Sequence, residues 1–129
     1  MEKLKERLVS CQRALATLDE ALKMPFSIIV HDGSIQRFEF SFEASWKLLK
    51  AYLEQHEGII CNSPKSCFRE ALRVGLLPAT DTETCLAMTD DRNLTAHTYI
   101  EAIARHIYCR LPAYLPVMQS LAAQIQTRI

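Results

Sequence analysis

The stretch Asp90–Tyr99, with the sequence DDRNLTAHTY, concentrates side chains that handle phosphates or protons: Arg92, Asn93, His97 and Tyr99. A guanidinium clamps a phosphate through its planar fork, and an imidazole exchanges protons near neutral pH. This pair suits cleavage of a phosphodiester without a metal. His97 would deprotonate a ribose 2′-hydroxyl, and Arg92 would stabilise the charge that builds on the phosphorus oxygens.

The same residues also allow a purely structural interpretation. Near a junction of two helices, an arginine and a histidine can cap backbone carbonyls or pair with neighbouring acids, here Asp90 and Asp91. A motif of two residues is weak evidence on its own, so a helical adaptor with a structural Arg–His pair is an alternative.

Composition bounds the function classes. A chain of 129 residues, 49% apolar and 23% charged, predicts a single globular domain over residues 1–129. It contains only three glycines and no glycine-rich phosphate-loop motif. The formal net charge is zero, which argues against long-range steering toward nucleic acid by the whole molecule.

The cysteines and histidines point away from a metal site. The cysteines show no CxxC motif, and no histidine pairs with them at the spacing of zinc ligands. We therefore expect reduced thiols in a cytoplasmic protein, with no metal or cofactor, and with Cys11 and Cys109 on apolar stripes. No apolar run approaches the ~20 residues that cross a bilayer, so no membrane association is expected. The five cysteines are Cys11, Cys61, Cys67, Cys85 and Cys109.

Apolar residues recur at helical spacing along most of the chain, and no strand pattern is present. The pattern predicts helices over residues 2–22, 35–55, 64–74 and 81–91, and a last helix after Thr98. Pro112 and Pro116 predict a kink near residues 108–111, or a break. Short connectors between these helices predict an all-α fold, an antiparallel (up-and-down) four- to five-helix bundle. The expected N-caps are the Asp32–Ser34 turn, Ser63, Thr80 and Thr98.

Glu43 lies among the aromatic residues of the second helix, three positions before Trp46. Two interpretations stay open. Glu43 is either a buried acid that orients Arg92 or His97, or a partly exposed acid paired with Lys47.

Two segments carry a resemblance to a known family. Residues 92–99 match the R-x4-H-x-Y signature of HEPN-domain proteins of the HepT type. The segment Ile35–Lys47 resembles the second helix of the branch labelled nucleotidyltransferase substrate-binding protein. The resemblance covers nearly the whole chain.

The resemblance implies a function that the residues alone do not. It implies a homodimer with two Arg–His pairs in an interfacial cleft, and a minimal nucleotidyltransferase (MNT) as partner. The chain would be a metal-independent ribonuclease toxin, with the nucleotidyltransferase as its antitoxin. Arg92 would hold the scissile phosphate, His97 would be the acid/base, Asn93 would shape the pocket, and Tyr99 would be the site of adenylylation. The alternative is a non-catalytic subunit that presents a substrate to the nucleotidyltransferase. RNA or a nucleotide is accordingly the expected ligand.

Overall fold

The chain is built from five α-helices in a computed structural model that describes residues 2–129. No strand occurs in this part of the chain, so the all-α prediction is confirmed. A single 3-10 turn, Thr95–His97, separates the last two helices. The helices are α1 (Glu2–Leu22), α2 (Ile28–Glu57), α3 (Pro64–Arg73), α4 (Ala79–Leu94) and α5 (Glu101–Arg128).

The long helices α1, α2, α4 and α5 alternate in direction, as expected for an up-and-down bundle. Arg37 donates to the carbonyl of Thr17 at 2.8 Å, and Ser41 donates to the carbonyl of Ala14 at 3.1 Å. The residue number increases along α2 while that of its partner on α1 decreases, so the two helices are antiparallel. The short helix α3 is inserted in the connection from α2 to α4, which explains how five helices form a four-helix bundle.

Side-chain pairs across the bundle give the remaining directions. The rings of Phe38 and Tyr114 stack with centroids 5.8 Å apart, and Glu57 lies 4.0 Å from Arg128. Helices α2 and α5 therefore run the same way. Arg128 also donates to the carbonyl of Gly75 at 3.0 Å, just before α4 begins, so α4 runs against α5.

The first helix agrees with its predicted bounds. Its apolar stripe, which steps by four and three residues, is buried in the common core. The buried members of this stripe are Leu4, Leu8, Cys11, Leu15 and Leu18.

The second helix begins at Ile28, so the prediction of a connector there and a cap at residues 32–34 was wrong. Ser27 is the N-cap, and its hydroxyl accepts a hydrogen bond from the amide of Val30 at 3.0 Å. Gly33 and Ser34 lie inside the helix, with Ser34 fully buried. A glycine weakens a helix by only ~1 kcal/mol, and packing of the surrounding turns outweighs that cost.

The third helix matches its prediction. Ser63 and Ser66 form a reciprocal capping box around Pro64, and Gly75 follows the helix in the left-handed region at φ 76°.

The fourth helix departs from its prediction at both ends. Pro78 occupies the N-cap position without a side-chain hydrogen bond, so Thr80 is not the cap. The helix continues past Asp91 to Leu94, which places Arg92 in its last turn.

The fifth helix begins at Glu101 after Ile100, and Thr98 does not cap it. Instead, the hydroxyl of Thr98 donates to the carbonyl of Thr95 at 3.3 Å. The helix continues through Pro112 and Pro116, so a break there was the wrong alternative. Both prolines are exposed, and the buried face of the helix is unbroken around them.

The cysteine prediction was wrong at three positions. Cys61 and Cys67 form a disulfide with their Cα atoms 5.5 Å apart, which ties the connector to α3. Cys11 and Cys85 are buried free thiols, whereas Cys109 is exposed. Within residues 2–129, no helix combines the length and apolar character that a membrane span needs.

Candidate functional site

Arg92 is presented by the end of α4. The hydroxyl of Thr95 donates to the carbonyl of Arg92 at 2.6 Å and closes the last helical turn. The chain then passes through the 3-10 turn Thr95–His97 before α5 begins. Arg92 therefore lies at the end of a helix, and His97 lies in the turn that follows it.

Glu43 of α2 contacts Arg92 of α4, two residues far apart in the sequence. A terminal nitrogen of Arg92, Nη2, donates a hydrogen bond to Glu43 Oε1. The other carboxylate oxygen accepts from Trp46 Nε1 at 3.2 Å and lies 3.7 Å from Lys47 Nζ. Glu43 is partly exposed and contacts both Arg92 and Lys47, which were the partners in the two alternative interpretations of this residue.

The Arg92 guanidinium also lies beside an aromatic ring. Its Cζ is 5.9 Å from the centroid of Phe42, a distance at which a cation is attracted to the ring face. About a third of the Arg92 side chain is exposed. A guanidinium has five N–H donors, so the contact with Glu43 leaves donors free to bind an anionic ligand.

His97 and Tyr99 lie together on the surface. The hydroxyl of Tyr99 is 3.5 Å from His97 Nδ1, and the rings meet edge to face with centroids 6.0 Å apart. Tyr99 is 80% exposed, so its side chain is accessible to solvent. Asn93 is likewise exposed on α4.

The acids next to Arg92 pair elsewhere. Asp90 forms an ion pair with Lys65 of α3 at 2.7 Å. Asp91 is buried, accepts a hydrogen bond from the Tyr114 hydroxyl, and lies 3.1 Å from His106 Nε2. The alternative in which Asp90 and Asp91 pair with Arg92 and His97 is therefore wrong, because both acids contact other residues.

The cluster around Asp91 was not anticipated from the sequence. Arg110 completes it, with Nη1 3.9 Å from an Asp91 oxygen. Burial, reinforced by the hydrogen bond to Asp91, raises the pKa of Tyr114 to about 12. The spacing of His106, Arg110 and Tyr114, each four residues apart on one helix face, is the signal that could have suggested it.

A groove with a volume of about 480 Å³ lies beside Tyr99, between the start of α2 and the start of α5. Its aromatic wall places His31 4.7 Å and Phe26 5.9 Å from the ring centroid of Tyr108. Sequence reasoning assigned no role to His31. Its Nδ1 lies 3.1 Å from the carboxylate of Asp32 at the rim.

Within residues 2–129, no three His, Cys, Asp or Glu side chains are grouped as metal ligands would be. The reactive side chains that the site presents are the Arg92 guanidinium, the His97 imidazole and the Tyr99 phenol.

Comparison with known proteins gives consistent results. Residues 6–127 match the family described as nucleotidyltransferase substrate binding protein like. A Haemophilus influenzae protein named "Probable ribonuclease HepT" is 36% identical over 100 residues, which are 74% of this chain and 67% of that protein.

Two solved structures share the fold. A protein from Thermus thermophilus superimposes with a TM-score of 0.86 and 46% identity, over 89% of this chain and 98% of the other. A Haemophilus influenzae protein, described as having the fold of a substrate binding domain of a nucleotidyltransferase, superimposes with a TM-score of 0.69. It is 30% identical, and the match covers 97% of this chain and 98% of the other.

Proposed function

The chain belongs to the nucleotidyltransferase substrate binding protein like family, of HepT type, and on this basis we propose that it is a metal-independent endoribonuclease. It would be the HEPN component of a toxin–antitoxin-type pair, regulated by a minimal nucleotidyltransferase. The observation that carries the proposal is the Arg92 guanidinium at the end of α4, which Glu43 holds while leaving donors free, followed in the next turn by the exposed His97.

Each residue has a defined part in the proposed reaction. His97 accepts the proton of a ribose 2′-hydroxyl, and the resulting oxygen attacks the adjacent phosphorus. A 2′,3′-cyclic phosphate forms as the bond to the 5′-oxygen breaks, and the protonated imidazole returns a proton to that oxygen. Arg92 donates to the non-bridging oxygens, where negative charge accumulates in the transition state.

Glu43 and Asn93 have supporting parts in this proposal. Glu43 fixes the direction of the guanidinium, because its carboxylate is itself held by Trp46. Asn93, exposed one residue beyond Arg92, shapes the pocket and contacts the RNA.

Tyr99 is the proposed site of control. Its exposed hydroxyl is accessible to a nucleotidyltransferase, and it lies 3.5 Å from His97. An adenylyl group on that hydroxyl would add a negative phosphate beside the base and exclude RNA from it.

An exposed apolar surface at the start of α2 supports two proposed interactions, the homodimer and the complex with the nucleotidyltransferase. Three large apolar side chains that are close in sequence are exposed to water: Phe26 by 69%, Ile28 by 75% and Ile29 by 85%. Neighbouring exposed apolar side chains of this kind are typical of a surface that binds another protein. We propose that this surface serves the homodimer or the nucleotidyltransferase. A variant that becomes monomeric but stays helical should lose cleavage if the active cleft lies across the homodimer interface. Full activity in a proven monomer would contradict a shared cleft.

The second candidate function is a non-catalytic subunit that presents a substrate, or its own Tyr99, to the nucleotidyltransferase. It is favoured by the description of the matched family and by the exposure of Tyr99, neither of which requires cleavage. In this alternative Arg92 would bind a phosphate without promoting chemistry.

Expression of the chain alone, beside Arg92→Ala and His97→Ala, distinguishes the two functions. Growth arrest and RNA cleavage by the parent protein, lost in both variants, are expected of the ribonuclease. A folded protein that neither arrests growth nor cleaves RNA would refute the ribonuclease proposal. Adenylylation of Tyr99 by a nucleotidyltransferase would then be the activity to measure.

A further inference from the structure

A groove between α1 and α2 gathers positive charge on an otherwise neutral chain. Two adjoining hollows, of about 310 and 290 Å³, share Lys3, Arg7 and Lys47 in their walls. The first hollow is completed by Trp46 and Lys50, among others. We call this surface the basic groove.

The charge of the basic groove is locally unbalanced. Among the side chains that the structure describes, the groove contains four cations, Lys3, Arg7, Lys47 and Lys50, against the two carboxylates of Glu6 and Glu54. Four minus two leaves a local excess of two positive charges among these side chains, and the Glu43 carboxylate beside Lys47 is offset by its ion pair with Arg92. The whole chain, by contrast, has a formal net charge of zero. The zero net charge therefore conceals a surface that can attract a polyanion.

The basic groove ends close to Arg92, with Glu43 between them. Trp46 and Lys47, which line the groove, both contact the carboxylate of Glu43, at 3.2 and 3.7 Å. The other oxygen of that carboxylate accepts the hydrogen bond from Arg92. One side chain thus separates the end of the groove from the guanidinium that would bind the scissile phosphate.

An aromatic ring lies among these cations. The Lys50 ammonium is 5.8 Å from the Trp46 ring centroid, and the indole is oriented by its hydrogen bond to Glu43. Proteins that bind single-stranded nucleic acids combine cations along the backbone with aromatic rings that contact bases. A duplex would keep its bases stacked inside and could not use the indole in this way.

We propose that the basic groove binds the phosphate backbone of a single-stranded polynucleotide and leads it to Arg92. The bound strand crosses α1 and α2, with a base against Trp46 and phosphates beside the four cations. This inference rests on the proposed ribonuclease function for its biological meaning, but binding can be measured without cleavage.

The test uses a fluorescent single-stranded oligodeoxyribonucleotide. It lacks the 2′-hydroxyl that the proposed reaction needs, so it reports binding alone. The salt dependence of the protein's affinity for this oligonucleotide is measured for the parent protein and for a groove variant. The groove variant carries the four substitutions Lys3→Gln, Arg7→Gln, Lys47→Gln and Lys50→Gln. Each lost phosphate contact should reduce the slope of log K against log salt by about 0.7, and four should reduce it by about 2.8.

The expected difference is large. Between about 50 and about 200 mM salt, a slope difference of this size means that the parent loses roughly 50-fold more affinity than the variant. The groove positions are exposed or half-buried on helices, and glutamine is a good helix former, so the variant should fold. Circular dichroism verifies that it does.

A second variant separates the groove from total charge. Arg13, Lys23, Arg69 and Arg73 are exposed or half-buried and lie outside the groove, and their replacement by glutamine changes the net charge equally. This control should change the slope by less than about 1. Equal slope changes in the two variants, an unchanged slope in the groove variant, or no binding by the parent would each overturn the proposal.

Cleavage of RNA is measured separately. Salt-dependent binding through the groove without any RNA cleavage by the parent would refute the ribonuclease function and leave the groove proposal standing. Cleavage that persists with an unchanged binding slope in the groove variant would refute the groove and leave the ribonuclease.

Discussion

Asp91→Ala should be strongly destabilising, because this carboxylate joins the end of α4 to α5. Its side chain is 5% exposed and accepts from the buried Tyr114 hydroxyl, with His106 Nε2 at 3.1 Å and Arg110 Nη1 at 3.9 Å. Removing it leaves the Tyr114 hydroxyl, on a residue only 3% exposed, without this acceptor. The same change loosens the helix turn that carries Arg92.

The size of the effect follows from these contacts. An unpaired buried hydroxyl costs ~1–3 kcal/mol, and hydrogen bonds to a charged group contribute ~1.5–3 kcal/mol each. His106 and Arg110 are about half exposed and can be rehydrated, so their loss adds little. We expect a loss of about 2–4 kcal/mol in the free energy of unfolding, which lowers Tm by roughly 8–16 °C in a domain of this size.

Urea unfolding followed by circular dichroism measures this loss. Asp90→Ala is the matched control, because Asp90 is exposed and pairs only with Lys65 among the described residues; it should cost less than about 1 kcal/mol. Tyr114→Phe should cost about 1–2 kcal/mol, and the double variant should cost clearly less than the sum of the single ones. A loss below about 1 kcal/mol in Asp91→Ala, or strict additivity with Tyr114→Phe, would refute this reasoning.

Four further outcomes are expected. Glu43→Gln keeps an acceptor for Trp46 but removes the ion pair that aims Arg92, so single-turnover RNA cleavage should slow by at least about tenfold, while unfolding free energy changes by less than about 1 kcal/mol. Tyr99→Phe should retain its fold by circular dichroism but accept no adenylyl label from the partner nucleotidyltransferase, and labelling that persists would place the modification elsewhere. The raised pKa of Tyr114 keeps its hydroxyl neutral in the folded state, so its stabilising effect is complete below pH 10 and is lost as pH rises toward about 12; urea unfolding across this range should show a steeper decline in the parent protein than in Tyr114→Phe. Reducing the Cys61–Cys67 disulfide, which closes a loop with a sequence separation of 6, should lower unfolding free energy by about 2 kcal/mol in urea, and no difference would indicate that the thiols are unpaired in solution.

Sequence periodicity predicted the helices best where their signals are local. The leucine stripe of α1 and the Ser63–Pro64 start of α3 depend on residues within a few positions of each other. Helix α2 was predicted to start too late because Asp32–Ser34 has the composition of a cap, yet tertiary packing buries Ser34 inside the helix. A capping signal depends only on neighbouring residues, so it cannot show that tertiary packing favours a helix through the same positions.

The candidate site shows the same division. The sequence identified Arg92 and His97 by type and spacing, and offered Glu43 with two alternative partners. The fold brings Glu43 to Arg92 and Lys47 at once, a result that depends on how α2 is rotated against α4. Rotation about a helix axis is decided by packing against several neighbours and is finer than a periodicity of 3.6 residues resolves.

By itself, the sequence determined the all-α class, the approximate helices and the residues with phosphate and proton chemistry, because side-chain type and helical period are local properties. Tertiary structure alone decided that Asp91 is buried against Tyr114, that Cys61 pairs with Cys67, and that cations of α1 and α2 share one groove. The Asp91–Tyr114 contact and the shared groove depend on which faces of distant segments meet, and burial of the common core makes that choice rather than any single segment. The Cys61–Cys67 pair is local in sequence, but it depends on how the connector is placed against α3.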